Sequence, residues 1–310
     1  MDLYNEEIKI RNKVKFHLNR IKHIKGQVYS VFIDERKYVL KLKEDSSFLK
    51  KWKKNIAFRN ELSINRQLLI ADFKYFNFPK LIDTDGKTYM LFEYIEGSQG
   101  IDDRYINDDL LSDSLLEFHM LLLDRSKEKK FLLKNIYEKF LFSPSSSILR
   151  GIFLFGLLNC GVIACLKCLI VLFKCSISEK SYKYSLLQHR DLGNISNKIS
   201  GQNGKIYFID FAGTREENKW ILIDIVDIVI SRETFEVKSN LFKLYLKKLS
   251  VKLKRDINIK AQVRVALLRK ILHLMGKKGG RYNQISKKFF SEILINDFSF
   301  DKWFKENWNV

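Results

Sequence analysis

"LLQHRDLGNISNKISGQNGKIYFIDF", residues 186–211, places two aspartates, Asp191 and Asp210, 19 positions apart. The first closes a His-Arg-Asp tripeptide. The second closes an apolar run, Ile206 to Asp210, whose β-branched and aromatic residues predict a strand entered from a turn at Asn203, Gly204 and Lys205. Phosphoryl transfer asks a protein for position and charge, including one carboxylate beside the attacking hydroxyl and another on the metal ion. Either aspartate alone is an ordinary loop or strand residue. Their separation, with asparagine between them and a turn before the second, makes the pair specific.

Bulk properties bound the reading. The chain has 310 residues, 46% hydrophobic and 30% charged, a globular composition long enough for two lobes or two small domains. The opening, MDLYNEEIKI, is polar and no short apolar core follows it, so a cytoplasmic location is expected. Lys and Arg exceed Asp and Glu by 20, and residues 241–288 hold 15 of the basic residues against one acid, Asp256. Such a stretch is either an anion-attracting field, for nucleic acid, anionic lipid headgroups or phosphorylated sugars, or a solvated helix face. No zinc-finger spacing or RNA-recognition signature accompanies it, and nucleic acid is set aside.

Upstream, "GQVYSVFID" and "KYVLKLK" flank a charged turn at Asp34 to Lys37 and predict a hairpin. "FLKKWKKNIAFRNELSINRQLLIADF" carries Ile56, Leu62, Ile64, Leu68 and Leu69 without Gly or Pro and predicts a helix. "PKLIDTDGKTYMLFEYI" gives two strands around Asp85-Gly86. Strand, strand, helix, strand, strand and then mostly helix is an α+β order. A boundary falls between Gly97 and Asp103.

This order resembles the protein-kinase-like small-molecule phosphotransferases, the branch of aminoglycoside and choline phosphotransferases and lipopolysaccharide-core sugar kinases, over about residues 13 to 230. The resemblance implies a two-lobed α+β fold: a small antiparallel-sheet N-lobe at 1–97 and a mostly helical C-lobe at 98–310. It implies ATP and Mg²⁺ as cofactors. Lys41, on the Val39 and Lys43 face of its strand, matches the lysine that grips the nucleotide phosphates, and Glu61, twenty residues on, the glutamate that pairs with it. Gly26, Glu93 and Tyr94 complete the nucleotide-binding positions. Asp191 matches the residue that accepts or orients the substrate proton, Asp210 the metal-binding aspartate, and His189 and Asp224, in "WILIDIVD", supports of the catalytic loop. His119, in "LLEFHML", matches a structural helix and carries no chemical step.

Two departures stand out. The phosphate-covering loop before "VYSVFI" holds one glycine, Gly26, where protein kinases usually have three. The metal-binding asparagine usually lies five residues after the catalytic aspartate, and that position is Ser196. Asn194, in "GNIS", and Asn197 compete for the role: Asn197 needs one extra residue after Asp191, Asn194 a loop two residues short.

Residues 148–175, "ILRGIFLFGLLNCGVIACLKCLIVLFKC", are apolar enough to span a bilayer. A single crossing would put Lys41 and Asp191 on opposite sides of it. A break at Asn159-Cys160-Gly161 leaves halves too short to span, so the segment is a buried helix of the second lobe or lies in a membrane interface. All four cysteines, Cys160, Cys165, Cys168 and Cys175, fall inside it, in a spacing that suits small hydrophobes better than zinc.

The sequence therefore reads as an ATP- and Mg²⁺-dependent phosphotransferase acting on a hydroxyl of a sugar or glycolipid, as lipopolysaccharide-core kinases do, with an anionic membrane surface on the inner face of the cytoplasmic membrane as a partner. An aminoglycoside or choline acceptor is the alternative, with Asp102, Asp103, Asp108 and Asp109 as acids that could line a cationic pocket. A non-catalytic nucleotide-binding scaffold is another.

Overall fold

The computed structural model describes residues 10–43, 48–70, 72–99, 106–122, 144–182, 185–201, 203–230, 235–253, 256–275 and 281–308. The chain forms two compact units, residues 1–101 with 195–214 and residues 102–194 with 215–310. A single boundary at residue 97 does not capture the return of 195–214 to the first unit.

In the first unit, β1 (Ile21–Lys25), β2 (Val28–Ile33), β3 (Arg36–Leu42), β5 (Leu81–Thr84) and β6 (Tyr89–Glu93) form an antiparallel sheet in the order β1-β2-β3-β6-β5. Alternation along β3 sends Leu40 and Leu42 to one face, where they pack with Tyr29, Val31 and Leu91. On the other face Val39 joins Phe58, Leu62, Met90 and Phe92. Phe58 and Leu62 belong to α1 (Phe48–Leu68), which ends before the predicted Phe73. The β5–β6 turn is the expected one: Gly86 adopts φ 74°, and the Asp85 carboxylate accepts hydrogen bonds from the backbone of Lys87 at 2.8 Å and Thr88 at 2.7 Å.

Two features of this unit were not read from the sequence. β1 is charged and largely exposed, so it lacks the apolar alternation that marks β2 and β3. A second sheet, β4-β10-β9-β7, joins β4 (Phe76–Asn77), β7 (Gly97–Gln99), β9 (Lys198–Gly201) and β10 (Ile206–Phe208). β10 is the strand expected after the Gly204 turn and pairs locally with β9, but β4 joins β10 and β7 joins β9 across 100 residues of chain or more, beyond the reach of local patterning.

The second unit is mostly helical. Its helices are α2 (Asp108–His119), α3 (Pro144–Gly151), α4 (Leu157–Ser178), α5 (Ile223–Val229), α6 (Ser239–Leu253), α7 (Ile259–Met275), α8 (Arg281–Phe289) and α9 (Asp297–Trp308), with one antiparallel strand pair, β8 (Leu186–Gln188) and β11 (Arg215–Glu217). Asn107 caps α2, its side-chain oxygen accepting from Asp109 N at 2.8 Å. Buried helix α7 spends its polar residues inside: Lys270 Nζ donates to Asp227 O at 2.9 Å and Ile230 O at 3.1 Å, and Arg264 Nη1 meets Asp297 Oδ1 at 2.6 Å. Lys248 pairs with Asp113 at 2.7 Å and Lys260 with Asp301 at 2.6 Å. Lys248, Lys260, Arg264 and Lys270 of the basic 241–288 stretch are thus held within the unit, and the stretch is not a uniform solvated field.

The apolar segment is neither wholly buried nor wholly exposed. Gly161, with φ 80° and ψ 170°, breaks α4 at the expected place. Cys165, Cys168, Val171, Leu172 and Cys175 face the interior, while large apolar residues on the other side remain exposed. The buried-helix alternative therefore describes one face only.

The β2–β3 turn generates a test. Asp34 and Glu35 both adopt positive φ, 47° and 63°, as a two-residue hairpin of this twist requires, and Glu35 bears a steric cost that glycine would not. Glu35→Gly should raise stability by up to ~1 kcal/mol and Glu35→Val should lower it. Thermal unfolding of the two variants checks both signs.

Candidate active site

The candidate residues fall into two groups, one per unit. In the first, β3 presents Lys41 on the sheet face that α1 covers, and α1 presents Glu61 toward it. Lys41 Nζ donates to Glu61 Oε2 at 2.6 Å and to Asp210 Oδ1 at 2.8 Å. Burial alone would lower the Lys41 pKa, but Glu61 and Asp210 outweigh it and hold the ammonium protonated well beyond neutral pH. Burial pushes the Glu61 carboxyl up, with Lys41 pulling it back and Asp210 adding to the rise.

Asp210 follows β10 at an exposed left-handed position, φ 62° and ψ 61°, and opens a 3₁₀ turn over Phe211–Gly213. The β9–β10 ladder pairs Phe208 with Lys198, and Ile209 N donates to Asn197 O at 3.1 Å. Asn197 thus stands beside the residue preceding Asp210. Asn194 belongs to the other unit, in the turn of Asp191, with its N–H donating to Asp191 O at 3.1 Å.

The remaining nucleotide-binding candidates lie along the first sheet. Gly26, at φ 58°, makes the β1–β2 turn, and its carbonyl meets His23 Nε2 at 2.8 Å. Glu93 ends β6 and accepts from Lys80 N at 2.9 Å. Tyr94 carries the Lys37 ammonium 3.7 Å above its ring.

In the second unit, Asp191 is exposed at the end of a loop held from beneath. The buried Asp224 carboxylate accepts from His189 N and Arg190 N, each at 2.6 Å, and from His119 Nε2 at 3.0 Å. An ionised carboxylate only accepts, so His119 donates through Nε2, and in the neutral ring Nδ1 accepts from Tyr245 OH at 2.6 Å. Burial would raise the Asp224 pKa, but the hydrogen bond of His119, the neighbouring His189 ring and the Arg190 N–H hold it below the usual aspartate range.

These anchors explain the loop's shape. Arg190 takes φ 70° and pairs with Glu217, while Arg269 Nη2 holds the Arg190 carbonyl at 3.0 Å. Gly193 passes so close to Asp227 that a Cβ would stand 2.5 Å from its carbonyl oxygen, so no larger residue fits without a shift. Asp227 itself accepts from Arg269 Nη1 at 3.2 Å. The brace through Asp224 is the role that the resemblance implies. His119, Tyr245 and Arg269 were not assigned to it, since partners 42 to 126 residues distant leave no local trace.

Asp108 and Asp109 sit in the first turn of α2, suited to its dipole, and Asp109 Oδ1 meets Lys248 Nζ at 3.4 Å. Asp102 and Asp103 lie outside the described residues. Among the described residues, no group of three or more His, Cys, Asp or Glu side chains is arranged to hold a metal ion. The four cysteines are free thiols, and burial pushes Cys168 up to about 12.

No family model matches the sequence, and no curated protein does. Solved structures do match. The choline kinase LicA from Streptococcus pneumoniae aligns over 93% of this chain and 98% of its own, at 14% identity and a TM-score of 0.60. A spectinomycin phosphotransferase in complex with ADP and spectinomycin aligns over 96% and 97%, at 15% identity and a TM-score of 0.54. An aminoglycoside phosphotransferase in a ternary complex with ADP and hygromycin B aligns over 94% and 96%, at 12% identity and a TM-score of 0.52. The chain has the α+β, protein-kinase-like fold of these small-molecule phosphotransferases.

Asp224 carries a pH signature. Its pKa is depressed in the folded state, so its contribution to stability is fully present above the unfolded value of 3.8 and is lost as pH falls through the folded value. Stability should therefore decline below about pH 4. Asp224→Asn should flatten that acid limb and destabilise the fold at neutral pH by ~3–5 kcal/mol, since buried donors lose their charged acceptor. Denaturant unfolding of both proteins from pH 3 to pH 7 measures the two effects.

Proposed function

We propose that the protein is an ATP- and Mg²⁺-dependent phosphotransferase that passes the γ-phosphoryl group to a hydroxyl of a small molecule. The observation that carries this is Lys41 Nζ held between Glu61 and Asp210, 2.6 and 2.8 Å away, a cation fixed on a sheet face beside an exposed carboxylate. In this reading Lys41 binds nucleotide phosphates and Glu61 fixes its direction. Asp210 and Asn197 supply hard oxygen donors of the kind Mg²⁺ takes, and their proximity across the β9–β10 ladder favours Asn197 over Asn194. Mg²⁺, when bound, neutralises phosphate charge and orients the nucleotide. Asp191 orients the acceptor hydroxyl and takes its proton, with Asp224 and His119 keeping the loop in register. His189 supports that loop from its buried position.

The likeness to choline kinase and to aminoglycoside phosphotransferases supports a soluble small-molecule acceptor better than the lipopolysaccharide-core reading. A sugar on a glycolipid remains the second reading, because α4 presents an apolar outer face that a soluble acceptor would not need. Purified protein with Mg²⁺ and ATP should turn over with a choline-like, aminoglycoside or glycolipid acceptor. Tight ATP binding without turnover on any of them would favour the non-catalytic scaffold instead.

The carboxylates should separate by role. Asp191→Asn should lower turnover while nucleotide binding survives, whereas Asp210→Asn should weaken Mg·ATP binding itself. Lys41→Met should cost about 2–4 kcal/mol in transition-state stabilisation, as loss of one preorganised charge contact does elsewhere. Isothermal titration beside steady-state kinetics distinguishes them, and equal loss of ATP binding in both aspartate variants contradicts the assignment.

The asparagines offer a second test. Asn197→Ala should sharply raise the Mg²⁺ concentration needed for half-maximal turnover, while Asn194→Ala should act weakly through loop shape. A magnesium titration giving the reverse order would move the ligand to Asn194.

A further inference from the structure

A helix on the surface of a folded unit ordinarily turns an apolar stripe inward and a polar face to water. Helix α4 does the first and not the second. Its inner stripe, Cys165, Cys168, Val171, Leu172 and Cys175, is buried. On the outside, ten large apolar side chains between Phe153 and Ile177 are exposed, Leu158 at 86% and Ile163 at 73%. The largest apolar patch on an ordinary soluble monomer is roughly 300–600 Å², and ten such side chains exceed it.

Something must cover this face, and the flanking charges indicate what. Among residues 144–182 the basic side chains are Arg150, Lys167, Lys174 and Lys180, and the one acid, Glu179, is buried. Lys167, Lys174 and Lys180 are exposed. Lys174 shares Asp297 of α9 with Arg264. Lys287 of α8 lies close enough to Cys160 to act on its thiol electrostatically.

Ile163, Leu166, Ile170, Phe173 and Ile177 repeat at three and four residues, the spacing of a helix-pairing seam. A second copy of the chain is the rival occupant on that ground. Such a copy would bring its own lysines to the same seam, where the one acid of residues 144–182, Glu179, is buried. An anionic surface answers them without a partner sequence. Nor does the helix cross a bilayer: its inner face is packed on protein, and the 17 residues from Val162 to Ser178 reach only about 25 Å against a hydrocarbon core of about 30 Å.

We propose that the outer face of α4 and of the π-helical turn Ile152–Gly156 before it, residues 153–177, docks in the plane of an anionic phospholipid surface. The apolar side chains on both arms of the Gly161 break enter the acyl boundary, and Lys167, Lys174 and Lys180 meet the headgroups. This docking does not depend on which acceptor the protein phosphorylates, or on whether it phosphorylates one.

The test is co-sedimentation of the full chain, without nucleotide, with vesicles of phosphatidylcholine alone and of phosphatidylcholine with phosphatidylglycerol. The protein should partition at least about tenfold better onto the anionic vesicles. Raising the salt to 1 M should release only part of it, because buried apolar surface is not screened. The double variant Leu158→Glu with Ile163→Glu should lower partition about tenfold or more while its circular dichroism and thermal unfolding match the parent, since both positions are exposed. As a second readout that keeps the face apolar, the emission of Leu158→Trp should shift to the blue on anionic vesicles relative to that of the parent. Complete recovery in the supernatant overturns the proposal. So does concentration-dependent self-association that the double glutamate variant abolishes without any lipid binding, which would assign the face to a second copy.

Discussion

A carboxylate shut away from water must collect donors, and the donors that Asp224 collects fix the course of the chain around it. Two are consecutive backbone N–H groups, of His189 and Arg190, and the third is His119 from α2. Each would cost about 1–3 kcal/mol if left buried and unpaired. The arrangement is therefore all or nothing, and it ties α2, α5 and α6 to one loop, α6 through Tyr245 and the far nitrogen of His119. Asp191 is exposed because everything immediately before it is committed to the interior. Arg190 can hold a left-handed backbone for the same reason: its N–H, its carbonyl and its guanidinium each have an assigned partner.

The first unit solves a different problem. Around Lys41 there are two carboxylates and one ammonium, with Glu61 buried and Asp210 exposed. Burial holds Glu61 in place as the permanent partner. Asp210, at the surface on a turn that leaves the sheet, is the partner that can be redirected. In the proposed reading a hard cation would be held at Asp210, leaving the Lys41–Glu61 pair in place. The division between a fixed and a redirectable carboxylate follows from where the two residues sit, one mid-helix against a sheet, the other just past a strand end.

What the sequence made legible was local. The β2–β3 and β5–β6 hairpins, helix α1 and the Lys41–Glu61 pair could be read because alternation, turn residues and helical spacing act within twenty or so residues. Asp191 and Asp210 were singled out by their spacing, and the structure places the first in an exposed loop and the second just past a strand end. β1 escaped because its side chains are charged and exposed, and β4 and β7 because strands of two or three residues carry no pattern of their own, whereas β10 was read from its apolar run and the turn before it. His119, Tyr245 and Arg269 escaped for a sharper reason: a buried hydrogen bond between distant residues leaves each looking like an isolated polar residue in an apolar run. The lysine- and arginine-rich stretch misled in the opposite direction, since local density of charge does not distinguish Lys270, which reaches inward to two carbonyls, from an exposed lysine.

That distinction bears on how the remaining charge acts. A net charge of +20 spread evenly would favour any polyanion. Much of the charge of α6 and α7 is instead neutralised within the unit, by Asp109, Asp113, Asp227, Asp297 and Asp301. Beside the apolar face, Lys167 and Lys180 are exposed, and the one acid of residues 144–182, Glu179, is buried. Electrostatic attraction to a charged surface falls off within about 8–10 Å at ordinary ionic strength, so the lysines nearest the apolar patch count for more than the total. In the proposed docking, apolar insertion and headgroup attraction would act at one place on the second unit, each weak enough to be reversible when the other is removed.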